Sequence, residues 1–298
     1  MQPAILPLVC LCAFVMAHTA QAQTSVWAAY VQFGQECRSK GEFERAKKLY
    51  DLALVEATRS GDKGLLRAQT LESLSDVLVD QDDLAAAEKA AQDACDLLET
   101  ASSPTNPILL SGLNRLVNIN TQQAKFDKAE TVQARIGKIL QESGQSDGEA
   151  MVRFLNNSAW IKLAQQKTEA AEALAKQSLE MAERHDITSG SILAESLDTL
   201  ASIYAQQEKQ DEAEALAKSA IRMSHAAHGA AHPKTAQFMD TLADVHALSG
   251  KHSEAEAQLE QAMTVLGQSV HANHPQTRKI AAKHQKALAT RVESGTKE

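Results

Sequence analysis

Apolar residues recur along this chain at helical spacing, three, four and seven positions apart. Tyr30, Phe33, Gly34 and Cys37 form one such stripe; Leu71, Leu74, Ser75 and Leu78 repeat it, as do Leu197, Leu200, Ala201 and Tyr204. The spacing predicts one face of an α-helix, and the small third residue lets a neighbouring helix approach closely. A short polar turn follows, such as Lys40-Gly41-Glu42 or Glu208-Lys209-Gln210. A second helix then presents small or medium residues on one side, as in Ala46, Tyr50 and Ala53 or Ala213, Ala217 and Ala220. One alanine marks the phase of each copy: Ala46, Ala87, Ala129, Ala171, Ala213 and Ala255, separated by a step of 41 and then four steps of 42. A fixed period of this size is the signature of a repeat array, whose units bury their faces only by stacking on their neighbours.

Six helix pairs fit the pattern, over residues 25–59, 63–100, 106–143, 148–186, 190–227 and 233–268. Breakers separate them: Ser60-Gly61-Asp62, Pro104 and Pro107, Gly144 to Gly148, Ser189-Gly190, Pro233 and Pro275. A last helix, 275–292, opens with Pro275 in the favoured first-turn position and is expected to turn Lys283, Lys286 and Arg291 outward as a solvating cap. Residues 293–298 are expected to fray. The fold expected over residues 23–292 is all-α, a solenoid of about six helix-turn-helix units and a capping helix.

Composition agrees with stacked helices more than with a thick globular centre, because apolar residues are 44% of the chain while aromatics are 4%. A net charge of −8 argues against nucleic acid or an anionic membrane as partner, since both call for a basic face. The first 22 residues contain no Lys, Arg, Asp or Glu, residues 4–17 are apolar, and Ala20-Gln21-Ala22 precedes Gln23. That is the pattern of a secretory signal peptide cleaved after Ala22, and it predicts a periplasmic or secreted protein with no membrane span after cleavage. Two cysteines remain beyond it. Cys37 falls on a first helix and Cys95 late in the next unit's second helix, which argues against a disulfide and for two small buried apolar groups.

The pattern of small residues resembles the tetratricopeptide repeat, in its form of about 42 residues found in kinesin light chains. Leu113-Asn114-Arg115-Leu116-Val117 and Phe154-Leu155-Asn156-Asn157-Ser158-Ala159 are similar to that family's Leu-Asn-Asn-Leu-Ala start. Lys125-Phe126-Asp127-Lys128-Ala129-Glu130 is similar to its turn into the second helix, and His232-Pro233 and His274-Pro275 to its His-Pro step. The resemblance implies a right-handed superhelix whose concave groove, lined by first helices, binds peptides or protein segments, and it implies no chemistry. The sequence departs from the family at Lys162 and Asn120, where a large aromatic is usual. It departs again at Ala91, Gln133, Ala175 and Ala217, where Tyr or Phe is common. These departures point to weaker packing around the third and fourth pairs.

The chain has no glycine-rich phosphate loop, no nucleophile elbow and no HExxH or CxxC motif, so the sequence predicts a non-enzyme without cofactor. Eight of the ten histidines fall between His225 and His284. His225, His228 and His232 have a spacing that suits a metal, as does the pair His271 and His274, yet His232 and His274 belong to the His-Pro step and the helix is expected to end near His228-Gly229. Asn156-Asn157-Ser158 matches a glycosylation sequon but sits within a predicted helix.

In arrays of the resembled type the groove takes residues one and five positions after the first apolar residue of each first helix. Here these are Val31 and Gln35, Glu72 and Asp76, Asn114 and Asn118, Asn156 and Trp160, Asp198 and Ser202, and Asp240 and Asp244, with Asp80 and Gln122 extending the row. All the titratable ones are acidic. Asn side chains hold a peptide main chain by paired hydrogen bonds, carboxylates favour Lys or Arg, and an exposed Trp160 suits a hot spot. The expected partner is therefore a protein or peptide with basic residues, bound in an acidic, Asn-rich groove. A structural role through self-association by Ala-rich helices or end repeats stands as the alternative, and the pattern leaves the oligomeric state open.

Overall fold

The computed structural model describes residues 26–101, 107–145, 148–269 and 274–295. The leader at 1–22, Pro104, His271 and the last residues of the tail lie outside that range. Among the described residues every regular element is helical. In chain order they are α1 (26–39), α2 (Phe43–Arg59), α3 (Leu65–Asp80), α4 (Leu84–Ala101), α5 (Pro107–Gln122), α6 (Phe126–Glu142) and α7 (Glu149–Ala164). They continue with α8 (Thr168–Arg184), α9 (Gly190–Gln206), α10 (Gln210–His228), α11 (Pro233–Leu248), α12 (His252–Ser269) and α13 (Pro275–Gly295). The expected all-α solenoid of helical hairpins with a terminal helix is the fold observed. The chain divides into two compact units, Met1–Gly112 and Leu113–Glu298, the division falling within α5.

One backbone device makes the turn inside every hairpin. Gly41, Asp82, Ala124, Gln166, Glu208 and Gly250 all have positive φ, between 55° and 73°. The residue after each donates its N–H to the carbonyl five positions back: Glu42 to Cys37, Asp83 to Leu78, Lys125 to Asn120, Lys167 to Lys162, Lys209 to Tyr204 and Lys251 to His246, at 2.8–2.9 Å. This is the Schellman closure, which satisfies carbonyls that the helix end orphans. Two of the six positions are glycine; the other four accept the left-handed conformation at a cost of about 1 kcal/mol each. The His-Pro steps open helices in a matching way. His232 Nδ1 accepts from Lys234 N at 3.2 Å and His274 Nδ1 from Gln276 N at 3.3 Å, so the imidazole caps the helix that the following proline starts.

The phase-marking alanines are the closest approach between helices: Ala46, Ala87, Ala129, Ala171 and Ala213 are fully buried and Ala255 nearly so. In unit 1, Tyr50 is fully buried with Cys37, Ala46 and Val77, and a Cβ placed on Gly34 would lie 2.6 Å from its ring. Tyr50 fits because position 34 has no side chain. In unit 2 the corresponding second-helix residues are smaller and the next first helix fills the space. Leu200 packs on Ala171 and Ala175, and Leu242 on Ala201 and Ala217. The residues at which the sequence departs from the resembled repeat are accommodated too. Gln133 donates to Phe154 O at 2.6 Å and Ser158 Oγ at 2.9 Å, Asn120 donates to Leu116 O at 2.9 Å, and Lys162 Nζ meets Glu130 Oε1 at 2.7 Å. Ile280 of α13 is fully buried against Ala236, Met239, Leu259 and Leu266, which is how the last helix covers the last hairpin.

Candidate binding site

A polar ladder joins successive first helices in each unit, and its period is the repeat. In unit 1, Trp27 Nε1 donates to Thr70 Oγ1 at 2.9 Å, and Arg38 meets Asp80 at 2.6 Å and Asp76 at 3.0 Å. In unit 2, Asn157 Nδ2 donates to Asn114 Oδ1 at 2.7 Å and Arg153 lies 3.4 Å from Glu195, which also holds Lys234. Farther on, Lys283 Nζ lies 2.6 Å from Asp240 and 2.7 Å from Asp244, and Lys279 lies 3.3 Å from Asp240. Residues 42 or 43 apart on neighbouring first helices stand side by side, so any complementary pair at that separation meets.

This geometry changes the acidic row. Asp76 and Asp80 carry the Arg38 guanidinium, and Asp240 and Asp244 carry lysines of α13. Lys283 is therefore turned onto α11 and not outward; an ammonium within reach of two carboxylates is held there by charge-assisted bonds. These hydrogen bonds hold its own proton above the usual lysine range, against the opposing effect of burial. Depth differs from expectation as well. Asn156, Asp198 and Asp240 are 6–8% exposed, Glu72 and Asn114 are half-buried, and Asn118, Trp160 and Asp244 stand open. Among the large apolar side chains Trp160 is 44% exposed. Asn156 Oδ1 is buried without a hydrogen-bond partner.

Asp198 is the exception among the acids. It is 7% exposed and its Oδ1 has no partner. Burial pushes its carboxyl up to about 7, with Asp240 and Asp244 adding to the rise while a Thr241 hydrogen bond and Lys279 oppose it. The other strongly shifted carboxylates lie on second helices. Glu172, bonded by Lys176 and Gln207, and Glu214, bonded by Lys218 and Lys251, are both lowered to about 2. With Glu130, which meets Lys162 and Gln165, they recur every 42 residues and clasp the turn of the following hairpin.

Cys37 and Cys95 are buried and not bonded to each other, and Cys95 packs where a Cβ on Gly112 would meet its sulfur at 2.9 Å. The rings of His228 and His232 stack at 4.3 Å, and α10 ends at His228 with Gly229 at φ 87°. Among the described residues no group of three or more His, Cys, Asp and Glu is placed to hold a metal, and no helix is long and apolar enough to cross a membrane.

Known proteins share this fold. The solved structure of aspartyl phosphate phosphatase F from Bacillus subtilis is similar at a TM-score of 0.61, with 14% identity over 97% of this chain and 76% of that one. A Rap protein complexed with Competence and Sporulation Factor is similar at 0.58, with 13% identity over 94% and 81%. BtubC from P. vanneervenii is similar at 0.52, with 20% identity over 77% and 90%. At these identities the likeness is one of fold. None of the curated proteins matches the sequence. The tetratricopeptide repeat model matches residues 192–268, the α9–α10 and α11–α12 hairpins.

Proposed function

We propose that this chain is a non-enzymatic interaction scaffold that binds an extended protein segment along the first helices of unit 2. The observation that carries the reading is Trp160, 44% exposed on α7. Asn118, exposed one repeat earlier on α5, supplies an amide that would fix a main chain beside it. A large aromatic held open on a helix is the make-up of an interface anchor. The Rap protein complexed with Competence and Sporulation Factor supports the reading by analogy of fold. A photo-crosslinking residue placed at 160 is expected to capture a partner from the cell-envelope fraction, while the same residue at Gln177, exposed on α8, captures none. Equal labelling at both positions would overturn the site. From the apolar leader before Gln23 we infer export from the cytoplasm, and a mature chain beginning at Gln23 in N-terminal sequencing is the expected outcome.

One observation favours self-association as a second reading. Phe33 is 53% exposed on α1, where its counterparts Leu116, Leu200 and Leu242 in later units are at most 5% exposed. Val26, Leu52 and Val55 of the same hairpin are also open. A Phe33→Gln variant that lowers the scattering mass at high protein concentration would support this reading, and a wild type that stays monomeric would end it.

A further inference from the structure

Asn114, Asp198 and Asp240 hold the same place on their first helices, and the residue 43 positions later stands over each: Asn157, Thr241 and Lys283. Over Asn114 an amide donates, and over Asp240 the Lys283 ammonium lies 2.6 Å away. Asp240 is 6% exposed with Lys283 and Lys279 lying on it, and Asp198 is 7% exposed with only Thr241 over it. Over Asp198 the chain offers the short hydroxyl of Thr241, and Oδ1 is left buried and unpartnered. The cations around it are bonded elsewhere, and Lys279 is a lesser, opposing influence on Asp198. Glu195, one turn earlier on α9, holds Arg153 of α7 and Lys234 of α11. Asp240 and Asp244 of α11 hold Lys279 and Lys283 of α13.

We propose that Asp198 is the seat of one basic side chain of the bound segment, a lysine ammonium or arginine guanidinium taking the place that Lys283 takes on Asp240. The assignment rests on the binding function proposed above. It narrows the partner: the segment carries one basic residue at a fixed distance from the group that packs on Trp160, and no basic run, because the acids on α11 already have cations. Capture strengthens as pH rises, since only the ionised carboxylate attracts a cation.

Random peptides displayed on phage and selected on the full chain test this directly. At about pH 8, where a carboxyl titrating near neutrality is ionised, selection is expected to enrich a single Lys or Arg position. A selected peptide is expected to bind about tenfold more weakly at about pH 6, following the ionised fraction of Asp198. Asp198→Asn removes the charge and Thr241→Lys fills the seat by the precedent of Lys283; each is expected to cost at least about tenfold in affinity for that peptide. Circular dichroism and thermal unfolding check that both variants fold, and the wild-type pH series decides if either does not. Enriched peptides without a basic position, or affinity unchanged in Asp198→Asn, overturn the seat and leave the binding function standing. No enrichment on the wild type overturns both.

Discussion

Replacing Asp198 by Asn tests the electrostatics of this position without reference to any ligand. The carboxyl stands at about 7 in the folded chain against an ordinary 3.8. A folded value raised in this way contributes stability that is complete below the unfolded value and lost as pH climbs to the folded one. Three pH units at 1.36 kcal/mol each set the loss at about 4 kcal/mol as an upper bound, and about half of that is taken as the lower bound. Asp198→Asn keeps the shape and has no proton to lose. Its stability relative to wild type should therefore be nearly level below about pH 4 and rise by about 2–4 kcal/mol by about pH 8, at close to 1.4 kcal/mol per unit at the steepest. Other titrating groups cancel in the difference. Repeat arrays can unfold piecewise, so the suitable assay is amide hydrogen exchange of α9 and α11 across the pH series, with urea unfolding alongside. A stability difference that stays flat within about 0.5 kcal/mol would refute the reasoning, as would an Asp198 carboxyl that titrates near the ordinary aspartate value of about 3.9 by NMR.

Further outcomes follow from the packing. Ala124→Gly relieves a left-handed alanine at φ 55° at some cost in unfolded-chain entropy, so a net gain of about 0.5–1 kcal/mol in urea unfolding is expected. Gly34→Ala drives a methyl to 2.6 Å from the buried Tyr50 ring and should cost about 1–3 kcal/mol, a penalty that disappears in a Tyr50→Leu background. Lys283→Met removes the ammonium shared by Asp240 and Asp244, and limited proteolysis should then cut α13 faster than in wild type. Glu172 and Glu214 titrate at about 2 in the fold, below their ordinary 4.5, so the stability they give is present above that value and lost as pH falls toward 2. Glu214→Gln should make hydrogen exchange around α10 and α12 less sensitive to acid.

The fold was legible because the determining positions are small and periodic: Ala46, Ala87, Ala129 and their successors can sit only where helices touch. The site was legible in part. Trp160 and Asn118 are as open as the groove reading expects, but Asn156, Asp198 and Asp240 are buried, since neighbouring first helices lie close enough to cover them. The neutralised acids were missed because Lys283 reads as solvent-facing on its own helix and Arg38 carries no signal of its own there. The signal was the separation, Arg38 to Asp80 at 42 and Asp240 to Lys283 at 43, which matters only once residues one period apart are known to be neighbours. The state of Asp198 follows from what stands over it, a threonine where the next step has lysine, and a helix-by-helix reading does not compare those two positions.

The ladder also bears on how force and disorder travel through unit 2. Its rungs, Asn157 to Asn114, Arg153 to Glu195 and Lys283 to Asp240, each tie a helix to the next one in the series. A chain linked in this way behaves as a row of nearest neighbours, in which one hairpin can melt while those beyond it stay formed. A segment lying across α5, α7, α9 and α11 would add connections that skip over neighbours. Occupancy would then convert piecewise melting into a single event, and the sharpness of unfolding would report binding even where no helix moves.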